Sequence, residues 1–287
     1  MRNKKGSLIA VWVPGNHGAG GSTIASSIGI TLQHITDKRT LIVNMGSPRN
    51  YMEQYLKNDV DARFSMDHLR SFNMNISAEH IKIYATSVND LLYILPNSRI
   101  TREMSMVEEG FCQRFLEKAL EAYDIVIVDL EAGSNLENQI FLDHADIILG
   151  VMNQNEIMLK ELFESSKTIR EYIKHDKTIP VFNGLNCAGE ELKTLKRFNN
   201  RLELSSSYGV CFDIEANKAA CCEGKLYSFF KNELNKKSST IVMVEQIKEL
   251  SCIIAEKLFI PVEDIQSNSK LIDILFPKRK QWGEIDV

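Results

Sequence analysis

The chain has 287 residues, of which 44% are hydrophobic and 25% charged, and its net charge is −4. These are ordinary globular values and leave room for one large α/β domain or two small ones. They offer no electrostatic basis for wrapping nucleic acid, and no stretch approaches the ~18–20 consecutive apolar residues that cross a bilayer. The six cysteines form no C-x-x-C pair, which predicts free thiols in a reducing compartment rather than a metal site or disulfide.

Met1-Arg2-Asn3-Lys4-Lys5 leads straight into Leu8–Val13, an apolar run read as a buried strand and not as the core of a signal peptide. A glycine-dense turn follows, Gly15-Asn16-His17-Gly18-Ala19-Gly20-Gly21, and Ser22-Thr23 open a small-residue helix with Ile24, Ile28 and Leu32 at helical spacing. Strand, glycine turn and helix N-terminus together form a cradle for phosphate, because backbone N–H groups and the helix dipole converge on one spot. Gly15, Gly20 and Ser22 match the G-x-x-x-x-G-K-[ST] pattern, with Ser22 placed to bind Mg²⁺ through its hydroxyl. Gly21 takes the lysine position. A lost charge-assisted hydrogen bond weakens binding by roughly 1.5–3 kcal/mol, whereas removing a donor to developing charge costs about 10²–10³ in rate. The loop is therefore better suited to holding a nucleotide than to cleaving it.

Further along, Thr40–Asn44 reads as a short buried strand, and Ser47 to Phe72 as polar helices around a loop. Ile81–Ala85 and Leu91–Leu95 read as two more strands, and Met104–Ala122 as a helix with Val107, Phe111, Phe115 and Leu116 on one face. Asp124–Asp129 is a buried strand that ends in a carboxylate, followed by the turn Leu130-Glu131-Ala132-Gly133. An aspartate at that place can hold Mg²⁺ beside Ser22; its plainer role is to cap the next turn. Ile147–Met152 is read as a strand, Ile157–Tyr172 as one helix, Ile179–Leu185 as a strand and Ser239–Leu258 as an amphipathic helix. Buried strands separated by helices predict an α/β three-layer sandwich with a mostly parallel sheet, in one domain over residues 1–262. Its ligand belongs at the carboxyl ends of the strands.

The order of these parts resembles the MinD/ParA group of P-loop ATPases. In that group the loop reads K-G-G-x-G-K-[ST]-T and one strand ends in D-[ST]-P-[AP]-G; Asn16–Thr23 and Asp129–Gly133 take those places here. Leu91–Pro96 is similar to the family's L-x-x-L-P strand, and His144–Val151 with Asn153 to its A-D-x-x-x-V strand. Phe182-Asn183-Gly184 resembles the strand end near the adenine, and Phe212-Asp213-Ile214 with Ala219–Gly224 the late P-Y-D…A…G segment. The resemblance implies a P-loop NTPase fold and ATP (or ADP) with Mg²⁺ as cofactor. It implies a cofactor site built from Gly15, Asn16, His17, Gly18, Ala19, Gly20, Gly21, Ser22, Thr23, Asn183 and Asp213, with Ser22 and Asp129 at the metal. It also implies a homodimer.

Three departures stand out. Asn16 replaces the lysine that reaches across a dimer, Gly21 the ordinary loop lysine, and Gly46 the carboxylate that positions water. No catalytic residue is assigned, since a cation acting in trans alone is worth about 10³–10⁵ in rate. Gly18-Ala19-Gly20-Gly21-Ser22-Thr23 resembles the lysine-free loop of the TadZ/CpaE branch, which marks pilus assembly sites. His17 and Arg49 are plainest as solvated surface residues. The tail, residues 263–287, carries Leu271, Ile274, Leu275 and Phe276 ahead of Lys278-Arg279-Lys280, a pattern similar to the membrane-targeting end of MinD. Its plainer reading is a segment packed back on the domain.

The expected protein is cytoplasmic, peripheral at the inner face of the cell membrane. It is read as a nucleotide-binding, dimerising localisation factor whose partners are protein components of a pilus, secretion or conjugation machine, with weak membrane contact through the tail and no nucleic acid. Two alternatives stay open: a pseudo-ATPase scaffold without nucleotide, and a ParA-like DNA segregation ATPase.

Overall fold

The computed structural model describes residues 6–15, 18–46, 52–57, 64–72, 75–97, 109–186 and 191–262. Asn16, His17, Arg49, Cys187 and the tail from residue 263 onward lie outside the described residues.

The chain order is β1 (Ser7–Trp12), α1 (Gly21–Thr36), β2 (Thr40–Met45), α2 (Met52–Leu56), α3 (Met66–Arg70), α4 (Ala78–Tyr84), β3 (Thr86–Ser87), β4 (Leu92–Leu95) and α5 (Glu109–Ala122). It continues with β5 (Ile125–Leu130), α6 (Leu136–His144), β6 (Ile147–Met152), α7 (Glu156–Ser165), α8 (Lys167–Ile173), β7 (Thr178–Leu185) and α9 (Glu191–Leu202). Last come β8 (Tyr208–Cys211), α10 (Ile214–Cys221), α11 (Leu226–Leu234) and α12 (Val242–Lys257). The eight strands form one sheet in the order β3-β4-β2-β5-β1-β6-β7-β8. All pairs are parallel except β3 with β4 at one edge.

Side chains alternate across a strand, so one strand feeds both faces of the sheet. Leu8, Ala10 and Trp12 enter the core shared with α3 to α9, while Ile9, Val11 and Val13 enter the core shared with α1, α2 and α10 to α12. Both faces of the central strands are thus dry, which is why they read as continuous apolar runs. The expected three-layer architecture is present.

Three local expectations are corrected. Ile81–Ala85 is not a strand but the end of α4. Ser77 caps that helix by accepting from the backbone N–H of His80 at 3.2 Å, and burial follows a helical pattern: Ile81 is buried, Ile83 is 63% exposed. A short apolar run does not tell strand from helix by itself; the nearby edge strand is Thr86–Ser87. Ile157–Tyr172 is not one helix. Ser166, at φ −122° and ψ 106°, ends α7 and caps α8 through the Ile169 N–H at 3.3 Å, the competition with helix expected of a serine. Finally, Cys211 is disulfide-bonded, while Cys112, Cys221, Cys222 and Cys252 are free. Spacing along the chain says little about which cysteines a sheet brings together.

Candidate functional site

The glycine loop leaves β1, the middle of the sheet, and returns as α1. Gly20 is the N-cap of α1, left-handed at φ 85° and ψ 25°, and no side chain caps the helix. The first turn of α1 is therefore presented to the sheet's carboxyl edge, with its backbone donors and positive dipole end aimed there. A Cβ on Gly20 would lie 2.2 Å from the amide nitrogen of Asn183, so this position needs glycine for conformation and for space. That amide donates to the carbonyl of Ala19 at 2.9 Å. Asn183 reaches the loop from β7 beside an irregularity in the β7–β8 pairing, where Gly184 has φ 74° and its carbonyl accepts from Gln154 at 2.6 Å. Ala19, Gly20 and Asn183 thus form one unit.

A second unit gathers on the first turn of α1. The Ser22 hydroxyl donates to Asp129 Oδ2 at 2.6 Å. Asp129 is only 2% exposed, because β5 lies between β1 and β2 with Asp129 in register with Val11 and Asn44. A hydroxyl and a buried carboxylate make an all-oxygen donor pair that fits Mg²⁺, an ion that takes one or two protein oxygens and fills its shell with phosphate and water. No group of three or more His, Cys, Asp or Glu side chains forms a metal cage among the described residues. At Gly21 a Cβ would come within 2.8 Å of Val13 Cγ2 and 3.6 Å of Asp129 Oδ1. The lysine position is therefore closed by Val13 as well as lacking its ammonium.

The turn after Asp129 is tied to the loop by residues that pattern reading missed. Gly133, at φ 98°, donates its N–H to the Val13 carbonyl at 2.9 Å. Its own carbonyl accepts from the indole of Trp12 at 2.5 Å and from Asn138 at 2.9 Å. Asn138 also donates to the Glu131 carbonyl at 2.9 Å, and Asn135 caps α6 by accepting from the Asn138 backbone at 2.7 Å. Between those two asparagines, Glu137 pairs with Arg70 of α3 at 2.9 Å. Burial pushes the Glu137 carboxyl above its usual range, and Arg70 opposes that shift. The polar spacing Asn135-Leu136-Glu137-Asn138 is an N-terminal helix signal that could have marked this cluster.

The remaining positions separate. Gly46 is held by Asn44 Oδ1, which accepts its N–H at 3.1 Å, and by the Asn97 amide, which donates to its carbonyl. That place offers backbone and amides in place of a carboxylate. Asp213 caps α10, its Oδ1 accepting from Ala216 N–H at 2.8 Å. Gly15 packs near Leu162 and Met158 of α7, Gly18 is left-handed at φ 95°, and Thr23 sits half-buried on the first turn of α1. No helix among the described residues is long and apolar enough to cross a membrane.

No protein-family model matches the sequence, and no curated protein is similar to it by sequence. Solved structures are similar in three dimensions. A ParA family ATPase from Chlorobium tepidum TLS superposes with a TM-score of 0.70 at 15% identity, covering 87% of this chain and 99% of that one. MinD in the MinC:MinD cell division complex of Aquifex aeolicus gives 0.64 at 16% identity, covering 85% and 95%. The septum site-determining protein MinD from Pyrococcus horikoshii OT3, complexed with Mg-ADP, gives 0.59 at 15% identity, covering 88% and 98%. With the sheet order, the glycine loop and the Ser22–Asp129 pair already described, these likenesses establish that the chain has the fold of the MinD/ParA P-loop ATPases.

Proposed function

We propose that this protein binds ATP or ADP with Mg²⁺ at the Gly15–Thr23 loop and works as a dimerising localisation or assembly factor with little hydrolysis. The observation that carries the reading is the Ser22–Asp129 contact of 2.6 Å on an uncapped helix N-terminus at the carboxyl edge of the sheet. Backbone amides hold the phosphates; Ser22 and Asp129 hold the metal, which neutralises phosphate charge when bound. Little catalysis is expected, because Gly21, Gly46 and Asn16 occupy the three positions where the resembling family carries charged groups. The partners proposed are a second copy of the chain and protein components of a membrane-associated machine of the pilus, secretion or conjugation type, of the TadZ/CpaE kind. Weak, peripheral membrane contact through residues 263–287 belongs to the same proposal.

Calorimetric titration with ATP and magnesium tests it. Saturable binding of roughly micromolar to sub-millimolar strength is expected, since the missing ammonium removes about one charge-assisted hydrogen bond's worth of affinity. No heat and no melting shift at millimolar ATP would replace this reading with a nucleotide-free scaffold. The closure of the Gly21 position by Val13 is the feature that favours the scaffold. Phosphate release at the rate of a lysine-bearing relative would overturn the low-turnover part.

A further inference from the structure

The pattern serine, any residue, acid, histidine occurs twice in the segment between β2 and β4: Ser65-Met66-Asp67-His68 and Ser77-Ala78-Glu79-His80. Each opens a helix with the serine as N-cap and the histidine at the third helical position. In both, the histidine Nδ1 accepts the backbone N–H of the capping serine, at 3.2 Å in α3 and 3.3 Å in α4. In α4 the reciprocal bond is also made, from His80 N–H to Ser77 Oγ at 3.2 Å; in α3 the His68 N–H goes to the Ser65 carbonyl at 3.1 Å. The usual partner at this position is Glu or Gln, whose oxygen accepts at any neutral pH. Imidazole accepts through Nδ1 only while that nitrogen carries no proton.

The two histidines also join the helices through rings. His80 stacks on Phe72, with centroids 4.1 Å apart, and His68 stacks on Tyr84 at 5.9 Å. Phe64 closes the cluster against Tyr84 at 4.8 Å. From this we infer that the α3–α4 pair is a proton-released latch, closed while His68 and His80 are neutral and loosened when both take up a proton.

Protonation acts twice in the same direction. It places N–H against N–H at each cap, and it puts a cation in the first turn of a helix, where the dipole opposes it. The charged groups on the elements packed here are largely committed. Arg70 is paired with Glu137, Lys82 with Glu79 at 2.7 Å, Arg114 of α5 with Glu117 at 2.8 Å, and Lys118 with Glu121 at 2.7 Å. Asp67, beside His68, keeps a buried Oδ1 without a hydrogen bond. The latch leads to the candidate nucleotide site. α3 starts from a bond between Met66 N–H and the Pro96 carbonyl at 2.9 Å and ends at Arg70, whose partner Glu137 lies in the first turn of α6, directly after the Gly133 turn.

Amide hydrogen exchange on the full chain tests this, at about pH 7.5 and about pH 5.5, on either side of the ordinary histidine range. Rates are divided by the intrinsic chemical rate at each pH. Protection over residues 64–84 is expected to fall about fivefold or more at the lower pH, the usual effect of losing one helix cap, while protection in β5 stays unchanged. The variant H68Q/H80Q keeps an acceptor that does not titrate, and its protection over 64–84 should be the same at both pH values; the single variants H68Q and H80Q should each lose part of the response. Wild-type protection independent of pH, or an equal loss in the glutamine variants, overturns the latch. Both outcomes are read without nucleotide, so they stand apart from the test of nucleotide binding.

Discussion

Restoring the loop lysine is the perturbation that separates sterics from chemistry at this site. In Gly21→Lys the new Cβ starts 2.8 Å from Val13 Cγ2, closer than side chains tolerate, and Val13 is buried between the loop and the sheet. Overpacking of this kind costs about 1–3 kcal/mol. Replacing a helical glycine returns at most about 0.5–1 kcal/mol, which leaves a net loss of about 0–2.5 kcal/mol. For a chain of this size the middle of that range, about 1 kcal/mol, is a fall of about 2–4 °C in Tm, by differential scanning calorimetry without ligand. Val13→Ala opens the space at its own cost in lost packing, and the lysine stem then fills it. The double variant should be more stable than the sum of the two single effects predicts, by about 1 kcal/mol in a double-mutant cycle. With room for the ammonium, ATP affinity by calorimetry should rise about ten- to a hundredfold over Val13→Ala alone, the equivalent of one charge-assisted hydrogen bond. Two results would refute the reasoning. Gly21→Lys more stable than the parent would mean that Val13 does not close the position, and a well-folded double variant with no gain in affinity would mean that the loop does not face a phosphate.

Other expectations rest on separate contacts. Ser22→Ala and Asp129→Asn should each abolish the magnesium-dependent part of ATP affinity while leaving far-UV circular dichroism unchanged; equal affinity with magnesium and with EDTA in the parent would show that the pair holds no metal. Asn183→Ala removes the 2.9 Å bond to the Ala19 carbonyl, a net loss of about 0.5–1.5 kcal/mol, and should weaken nucleotide binding several-fold; unchanged affinity would make Asn183 a bystander. Burial pushes the Cys112 thiol up to about 12 from an ordinary 9.0, so the folded state holds a neutral thiol where the unfolded chain ionises. Its contribution to stability is complete below pH 9 and is lost as pH rises from there to about 12, and Cys112→Ala should remove that part of the alkaline slope in urea titrations. In the native protein at neutral pH, Cys112 should resist alkylation while the exposed Cys221 and Cys222 react.

Much of the fold was legible along the chain because both faces of a parallel sheet are dry. Leu8–Val13, Thr40–Asn44, Asp124–Asp129 and Ile147–Met152 are apolar enough to be strands without any partner in view. The glycine loop was legible for a related reason: a backbone that must turn left-handed at Gly18 and Gly20 admits few other residues. Where the signal was shorter than its context it failed. Ile81–Ala85 has strand composition, yet the cap at Ser77 and the packing of Ile81 make it helix, and Ser166 divides α7 from α8 through a side-chain bond that periodicity does not register.

Local order along the chain determined what kind of ligand the loop could receive, since strand, glycines and an uncapped helix start are all neighbours in sequence. Tertiary structure alone decided how the site is closed. Ser22 and Asp129 are 107 positions apart and Asn183 and Ala19 are 164 apart, and only the β2-β5-β1-β6-β7 strand order sets them side by side. Val13 standing against Gly21, Trp12 reaching Gly133 and Arg70 holding Glu137 likewise depend on which face of a strand or helix meets which. Such contacts are long-range packing, which residue type and spacing do not encode one stretch at a time.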